Sequence, residues 1–303
     1  MLNGIAIAVG IIVLVLALQA NPPEYTDLTE DAGSGNQEVV IQADTRERRD
    51  IENELISLYD DARDLQDEID SYELRQPASP YAENVTLHRG YIGGTDPDYE
   101  YLILTLAHDA NVPIAISDWY LESVVSDERV GLPLGVRVLS RPLDRASENV
   151  VLEPGSTAYL ITGESPLHSS FRENRCTGYL AEEDTFYPSL YRSCPSAKND
   201  MVLYGNIALD NDRCYDYIES LYTCELPNDR DMSRARINHA CERFVEDNLN
   251  YVGCVENHRS EPGFTKYGSW YIYLEKDETL WRSKREIIRL IDEHDRVVAI
   301  LEY

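Results

Sequence analysis

The sequence predicts an α+β protein, with an N-terminal transmembrane helix, an amphipathic or coiled-coil helix, and an immunoglobulin-like antiparallel β-sandwich carrying a helical, disulfide-rich insertion. Three observations lead there. Met1–Ala20 is apolar except for Asn3 and Gln19. Ile51, Leu55, Leu58, Ala62, Leu65, Ile69 and Tyr72 recur at alternating spacings of four and three. After Pro80 the pattern changes to period two, and every cysteine falls between Cys176 and Cys254.

Residues 1–20 read as the first element. Twenty helical residues span about 30 Å, the thickness of one hydrocarbon core. A signal peptide cleaved after Leu18-Gln19-Ala20 competes with a retained single-span anchor, and the missing Lys/Arg n-region favours the anchor. The next basic residue is Arg46. The positive-inside rule therefore gives no reason to hold this flank in the cytoplasm, and both readings place residues 21–303 outside it. The expected location is the cell membrane, single-pass, or secretion if the signal is cleaved.

Residues 21–43 are rich in Pro, Gly, Ser and acids and read as a flexible spacer. Residues 44–76 read as a helix, capped by Asp44 or Thr45 and closed by Pro77. Its seam offers self-association as a three-heptad coiled coil. The flanking positions Glu54, Asp61, Glu68, Glu52, Tyr59, Gln66 and Glu73 hold no basic residue to pair across a parallel homodimer. Packing against a partner or the chain's own domain stays equally open.

Composition narrows the partners. The 303 residues carry 55 acids and 27 bases, a net charge of −28, and 43% are apolar, enough for a packed core. Residues 22–80 hold 17 acids and 5 bases; the positive charge is almost all Arg, with Lys only at 198, 266, 276 and 284. Such a polyanion repels phosphates, which excludes a nucleic-acid binder that works by charge neutralisation.

In the third part, residues 84–303, strands are predicted at Asn84–Arg89, Tyr99–Leu106, Ile114–Leu121, Val136–Leu139, Val150–Leu152 and Thr157–Thr162. Short strands between turn signals such as GGTDPD and Pro154-Gly155 indicate a sandwich. Trp119, Trp270 and Trp281 sit in strand-like contexts and are assigned to core packing.

Here the residues come to resemble the lamin-tail domain. The pattern is carried by Glu100-Tyr101-Leu102-Ile103-Leu104, then Trp119-Tyr120-Leu121, then Leu152-Glu153-Pro154-Gly155 leading into Thr157–Ile161. Ile287–Tyr303 is similar to that family's last hairpin, with Asp292-Glu293-His294-Asp295 where a glycine is usual. The resemblance implies an immunoglobulin-like sandwich interrupted by residues 164–265. It implies an accessory module of a bacterial surface protein, without a catalytic residue to carry over.

Six cysteines in an extracytoplasmic chain read as disulfides. Cys214–Cys224 and Cys241–Cys254 look like two helices of an antiparallel hairpin, which predicts nested pairs: Cys224 with Cys241, Cys214 with Cys254, and Cys176 with Cys194. A metal site of His239, Cys241, Cys254 and His258 is the rival, but its spacing matches no common zinc module. The acidic runs Asp96-Pro97-Asp98-Tyr99-Glu100 and Asp210-Asn211-Asp212 lack calcium-loop spacing and read as turns. No GxSxG, HExxH or phosphate-binding loop occurs. No cofactor, metal or catalytic residue is therefore expected. The predicted role is a structural or adhesive surface protein with a protein or glycan partner. A carbohydrate-binding module using some of the 21 Tyr, or an acidic-residue hydrolase sited in 164–265, is the alternative.

Overall fold

Period-two alternation buries every second side chain of a strand, and it does so here in two facing layers. The computed structural model describes residues 78–138, 147–203, 212–265 and 268–303, with helical residues between 49 and 63. The chain divides into two units, Met1–Pro77 and Ala78–Tyr303.

In the first unit, the helical residues expose Ile51, Leu55 and Leu58 of the predicted seam. The rest of that seam (Ala62, Leu65, Ile69 and Tyr72) and the apolar stretch Met1–Ala20 lie outside the described residues. Among the described residues, no helix is long and apolar enough to cross a membrane.

The second unit is α+β. Its strands are β1 (Val85–Arg89), β2 (Tyr101–Leu106), β3 (Ile114–Ala115), β4 (Tyr120–Ser123), β5 (Arg129–Gly131), β6 (Gly135–Val136), β7 (Val151–Leu152), β8 (Thr157–Ile161), β9 (Ser170–Arg172), β10 (Trp270–Tyr273), β11 (Ile287–Ile291) and β12 (Val297–Glu302). One sheet runs β1-β2-β8-β10-β9-β6, a second β12-β11-β4-β5, and β3 pairs with β7. Leu102, Leu104, Leu160, Trp270 and Ile272 from the first sheet share a core with Leu121, Ile288 and Leu290 from the second.

Two expectations are corrected. The large sheet is mixed: β10 pairs with β8 in parallel, and so does β6 with β9. The chain leaves β8, passes through the helices and re-enters in the same direction, which a hairpin cannot do. The strand predicted at Ile114–Leu121 is two strands in different sheets. Ser117 Oγ accepts the Val150 N–H at 2.8 Å and donates to the Pro133 carbonyl at 3.2 Å, and Trp119 N–H closes a turn on the Ile116 carbonyl. This local bonding turns the chain from one sheet to the other.

Trp270 is fully buried and its indole N–H donates to the Val151 carbonyl at 3.0 Å. Gly135 lies under that ring: a Cβ built there would stand 2.7 Å from Cζ3. Gly135→Ala is therefore expected to destabilise the domain by about 1–3 kcal/mol through overpacking. An unaltered chemical-denaturation midpoint would contradict this.

Among the described residues, six helices lie between β9 and β10: α1 (Leu180–Glu183), α2 (Ala197–Leu203), α3 (Asp212–Ser220), α4 (Asp229–Ala235), α5 (His239–Asn248) and α6 (Tyr251–His258). Asn side chains start the last three. Asn228 accepts from Asp231 N, Asn238 from Cys241 N and Asn250 from Gly253 N, each at 2.9–3.0 Å. Met201, Ile218, Met232, Phe244 and Val245 form the helical core. A third cluster joins helices to sheet through Phe171, Tyr271, Tyr251, Val255 and Phe264. Phe171 stacks on Tyr271 with centroids 5.4 Å apart.

All six cysteines are bonded, in a different pattern from the nested one. The pairs are Cys176–Cys254, Cys194–Cys224 and Cys214–Cys241. Each predicted helix is shorter than its cysteine span. α3 stops at Ser220, and Cys224 lies beyond it with φ 64°. The second span breaks at Leu249, where Asn250 begins a new helix that carries Cys254 toward Cys176. Cys214 of α3 and Cys241 of α5 are left to pair with each other.

The last hairpin closes without glycine. Asp295 takes φ 57°, a conformation that Asp tolerates better than most residues. The buried Asp292 carboxylate accepts from Ser79 Oγ (2.7 Å), His294 N (2.9 Å), Arg296 N (3.0 Å) and Arg296 Nε (2.9 Å).

Candidate functional site

The Pro154-Gly155 turn, anticipated before β8, forms one wall of a cavity of about 930 Å³. Gly155 has φ 78°, and a Cβ there would overlap the His108 ring, so the turn and His108 pack with no space between them. Arg172 enters from β9, Arg137 from just beyond β6, and Arg259 and Glu261 from the end of α6. Phe264 supplies an apolar face.

Arg172 is buried because β9 lies inside the sheet, between β10 and β6. Its Nε donates to the Gly268 carbonyl at 3.3 Å, and Nη1 stands 3.7 Å from Glu153 Oε1. Burial pushes its guanidinium below the usual arginine value, against the nearby Glu153 and with the nearby Arg137. On the rim, Arg137 pairs with Glu148 at 3.0 Å. Glu261 accepts from Arg175 at 2.6 Å and meets His258 Nδ1 at 2.7 Å. The His258 contact, with Arg175 assisting, holds the Glu261 carboxyl below its ordinary range.

Behind this wall, the other nitrogen of the buried His258 lies 3.1 Å from the buried Asp200 carboxylate on α2. Both ring nitrogens are therefore engaged, and the imidazole ties α6 to α2. Other buried acids are likewise engaged. Glu173 accepts from Tyr191 N and Ser269 N, and burial raises its pKa. Glu100 accepts from Thr162 Oγ1 and Leu280 N through Oε1 alone, its buried Oε2 having no hydrogen-bond partner among the described residues, and burial raises its pKa too.

The residues singled out in the sequence fall elsewhere. His239 is exposed beside Glu242, and Cys241 and Cys254 belong to different disulfides, so that set does not converge. Asp96 and Asp98 organise a turn by accepting from Asp98 N and Glu164 N, while Glu100 points into the core. Asp210 and Asn211 lie outside the described residues, and Asp212 opens α3. Trp119, Trp270 and Trp281 are buried. Tyr91 and Tyr99 are exposed and lie edge-on to Tyr187, with centroids 5.9 and 5.0 Å away.

Sequence reasoning did not reach the cavity. Its charged residues come from positions spread between 137 and 261, on a sheet strand, two loops and the end of a helix. It also did not reach the Asp292–Glu293–His294 group, whose ligand atoms lie within 4.8 Å of one another. There Asp292 holds the turn and Glu293 accepts the Trp119 indole N–H at 2.7 Å. Comparison with family models, curated proteins and solved structures finds no match to this chain.

Proposed function

We propose that the chain is a non-catalytic binding or adhesion protein of the cell surface, held by Met1–Ala20 and presenting the residue 78–303 unit outside the cytoplasm. The observation that carries this is the set of three disulfides within one insertion, since such bonds persist in oxidising, extracytoplasmic surroundings. The engagement of the buried acids supports binding over hydrolysis. Glu173 and Asp200, the buried carboxylates among the described residues of the insertion, are taken up by backbone amides and by His258.

The lamin-tail reading belongs to the same proposal. Its support is that the quoted segments supply β2, β4, the turn into β8 and the β11–β12 hairpin around a shared core. Carbohydrate binding is the second reading, favoured by the exposed Tyr91 and Tyr99. Two flat rings with polar tips suit a sugar face.

Protease treatment of intact source cells, followed by peptide mapping without reduction, tests the proposal. The expected result is cleavage of the 78–303 unit from outside and linked peptides for the three observed pairs. A protected chain, or cysteines alkylated as free thiols, overturns it.

A further inference from the structure

The chain carries a net charge of −28, yet the cavity beside β9 is lined by three arginines, Arg137, Arg172 and Arg259. Among the described residues the lining also holds two acids, Glu153 and Glu261; Glu261 is engaged by His258 and Arg175, and Arg137 by Glu148. Among the described residues the lining keeps an excess of one positive charge in an otherwise acidic protein.

Arg172 is the residue that points to a ligand. It is 3% exposed. A guanidinium has five N–H donors in a fixed fork. Nε donates to the Gly268 carbonyl at 3.3 Å, and Nη1 forms a long ion pair, 3.7 Å, with Glu153, whose side chain is half exposed. One long ion pair and one backbone bond do not fill a five-donor fork, and a desolvated cation gains from a second oxyanion. The Arg259 guanidinium on the rim makes no hydrogen bond or ion pair among the described residues, so a second fork is available. Arginine forks match the two oxygens of a carboxylate or sulfate, with charge-assisted bonds.

The volume indicates a ligand larger than an inorganic ion. About 930 Å³ lies in the range of clefts that hold ring-sized organic ligands, roughly 300–1,000 Å³. Phe264 and Pro154 offer apolar faces to a ring, and the glycines at 155, 263 and 268 leave backbone on the wall.

We propose that this cavity binds an acidic saccharide, a uronate or a sulfated sugar, with Arg172 and Arg259 gripping its oxyanion and Phe264 and Pro154 lying against its ring. The inference deepens the binding reading above and rests on it.

Isothermal titration calorimetry on the full, oxidised chain tests it, using a glucuronate disaccharide, a sulfated disaccharide, a neutral glucose disaccharide and inorganic sulfate. An acidic sugar is expected to bind at least tenfold more tightly than the neutral one, and the uronate and sulfate arms identify the oxyanion. Arg172→Gln and Arg259→Gln should each weaken that binding about tenfold or more. Arg234→Gln, an exposed residue paired with Asp231 outside the cavity, should leave it unchanged. Arg259 is exposed, so its variant keeps the test decisive if Arg172→Gln fails to fold. Equal affinity for neutral and acidic sugars, binding of inorganic sulfate alone, or unchanged affinity in Arg259→Gln overturns the proposal. A chain that is surface-exposed in the protease experiment but ignores acidic sugars sinks this inference and leaves the wider one standing.

Discussion

Replacing Cys176 and Cys254 together by alanine is expected to remove about 4 kcal/mol of stability. The pair is 78 residues apart in sequence, against 30 and 27 for the other two. In the loop-entropy account, a closure of that length restricts the unfolded chain most, by about 4.5 kcal/mol, compared with about 3.6 for the shorter loops. The bond also lies in the cluster where Tyr251 and Val255 of α6 meet Phe171 and Tyr271 of the sheet. Its loss frees α6, and with it Arg259 and Glu261 at the cavity. Calorimetric melting of the double variant should show a midpoint lower by roughly 8–16 °C for a domain of this size. A fall no larger than that of the Cys214→Ala/Cys241→Ala chain would show that loop length does not set the ranking.

The second large effect is expected at Asp292. Removing its carboxylate leaves Ser79 Oγ, two backbone N–H groups and Arg296 Nε without their shared acceptor. Asp292→Ala should cost about 3 kcal/mol, because buried donors are stranded as well as bonds lost. Burial alone would raise this carboxyl's pKa. The bonds from Ser79, His294 and Arg296 overcome that and hold it below the ordinary aspartate value. A depressed folded value means that the contribution is complete above the unfolded pKa of about 3.9 and is lost as pH falls through the folded value. The wild type should lose stability steeply below about pH 4, and Asp292→Ala should lose less over the same interval. Parallel stability curves for the two proteins from pH 5 to pH 2 would refute this assignment.

What could be read in advance followed the range of the interaction concerned. Leu102, Leu104 and Leu106 alternate with Tyr101, Ile103 and Thr105, so β2 announces its buried face locally. The same holds for β1, β8 and the final hairpin. β9 is three residues, Ser-Phe-Arg, all buried, and it has no alternation to detect. Its place beside β10 is fixed by partners nearly a hundred positions away, Trp270 opposite Arg172 and Tyr271 opposite Phe171. The cavity arginines were hidden for the same reason, since Arg172 becomes a buried cation only once β9 is inside the sheet. The presence of disulfides was legible from the even cysteine count. Their pairing depended on where α3 and α5 end, and Cys224 and Asn250 decided that through local backbone geometry.

The parallel pairing of β8 with β10 has a consequence for biogenesis. Trp270 pairs with Ala158, and helices α1 to α6 lie between them in the chain. When β1, β2 and β8 have emerged, the outer edge of β8 therefore carries unpaired amide and carbonyl groups and no neighbour. An open strand edge invites pairing with another chain, and contacts this distant in sequence form late. The nascent protein is at its most aggregation-prone just before residues 270–303, its C-terminal ninth, are delivered. Early oxidation of Cys194–Cys224 and Cys214–Cys241, both complete before β10 exists, would shorten the distance that β10 must search.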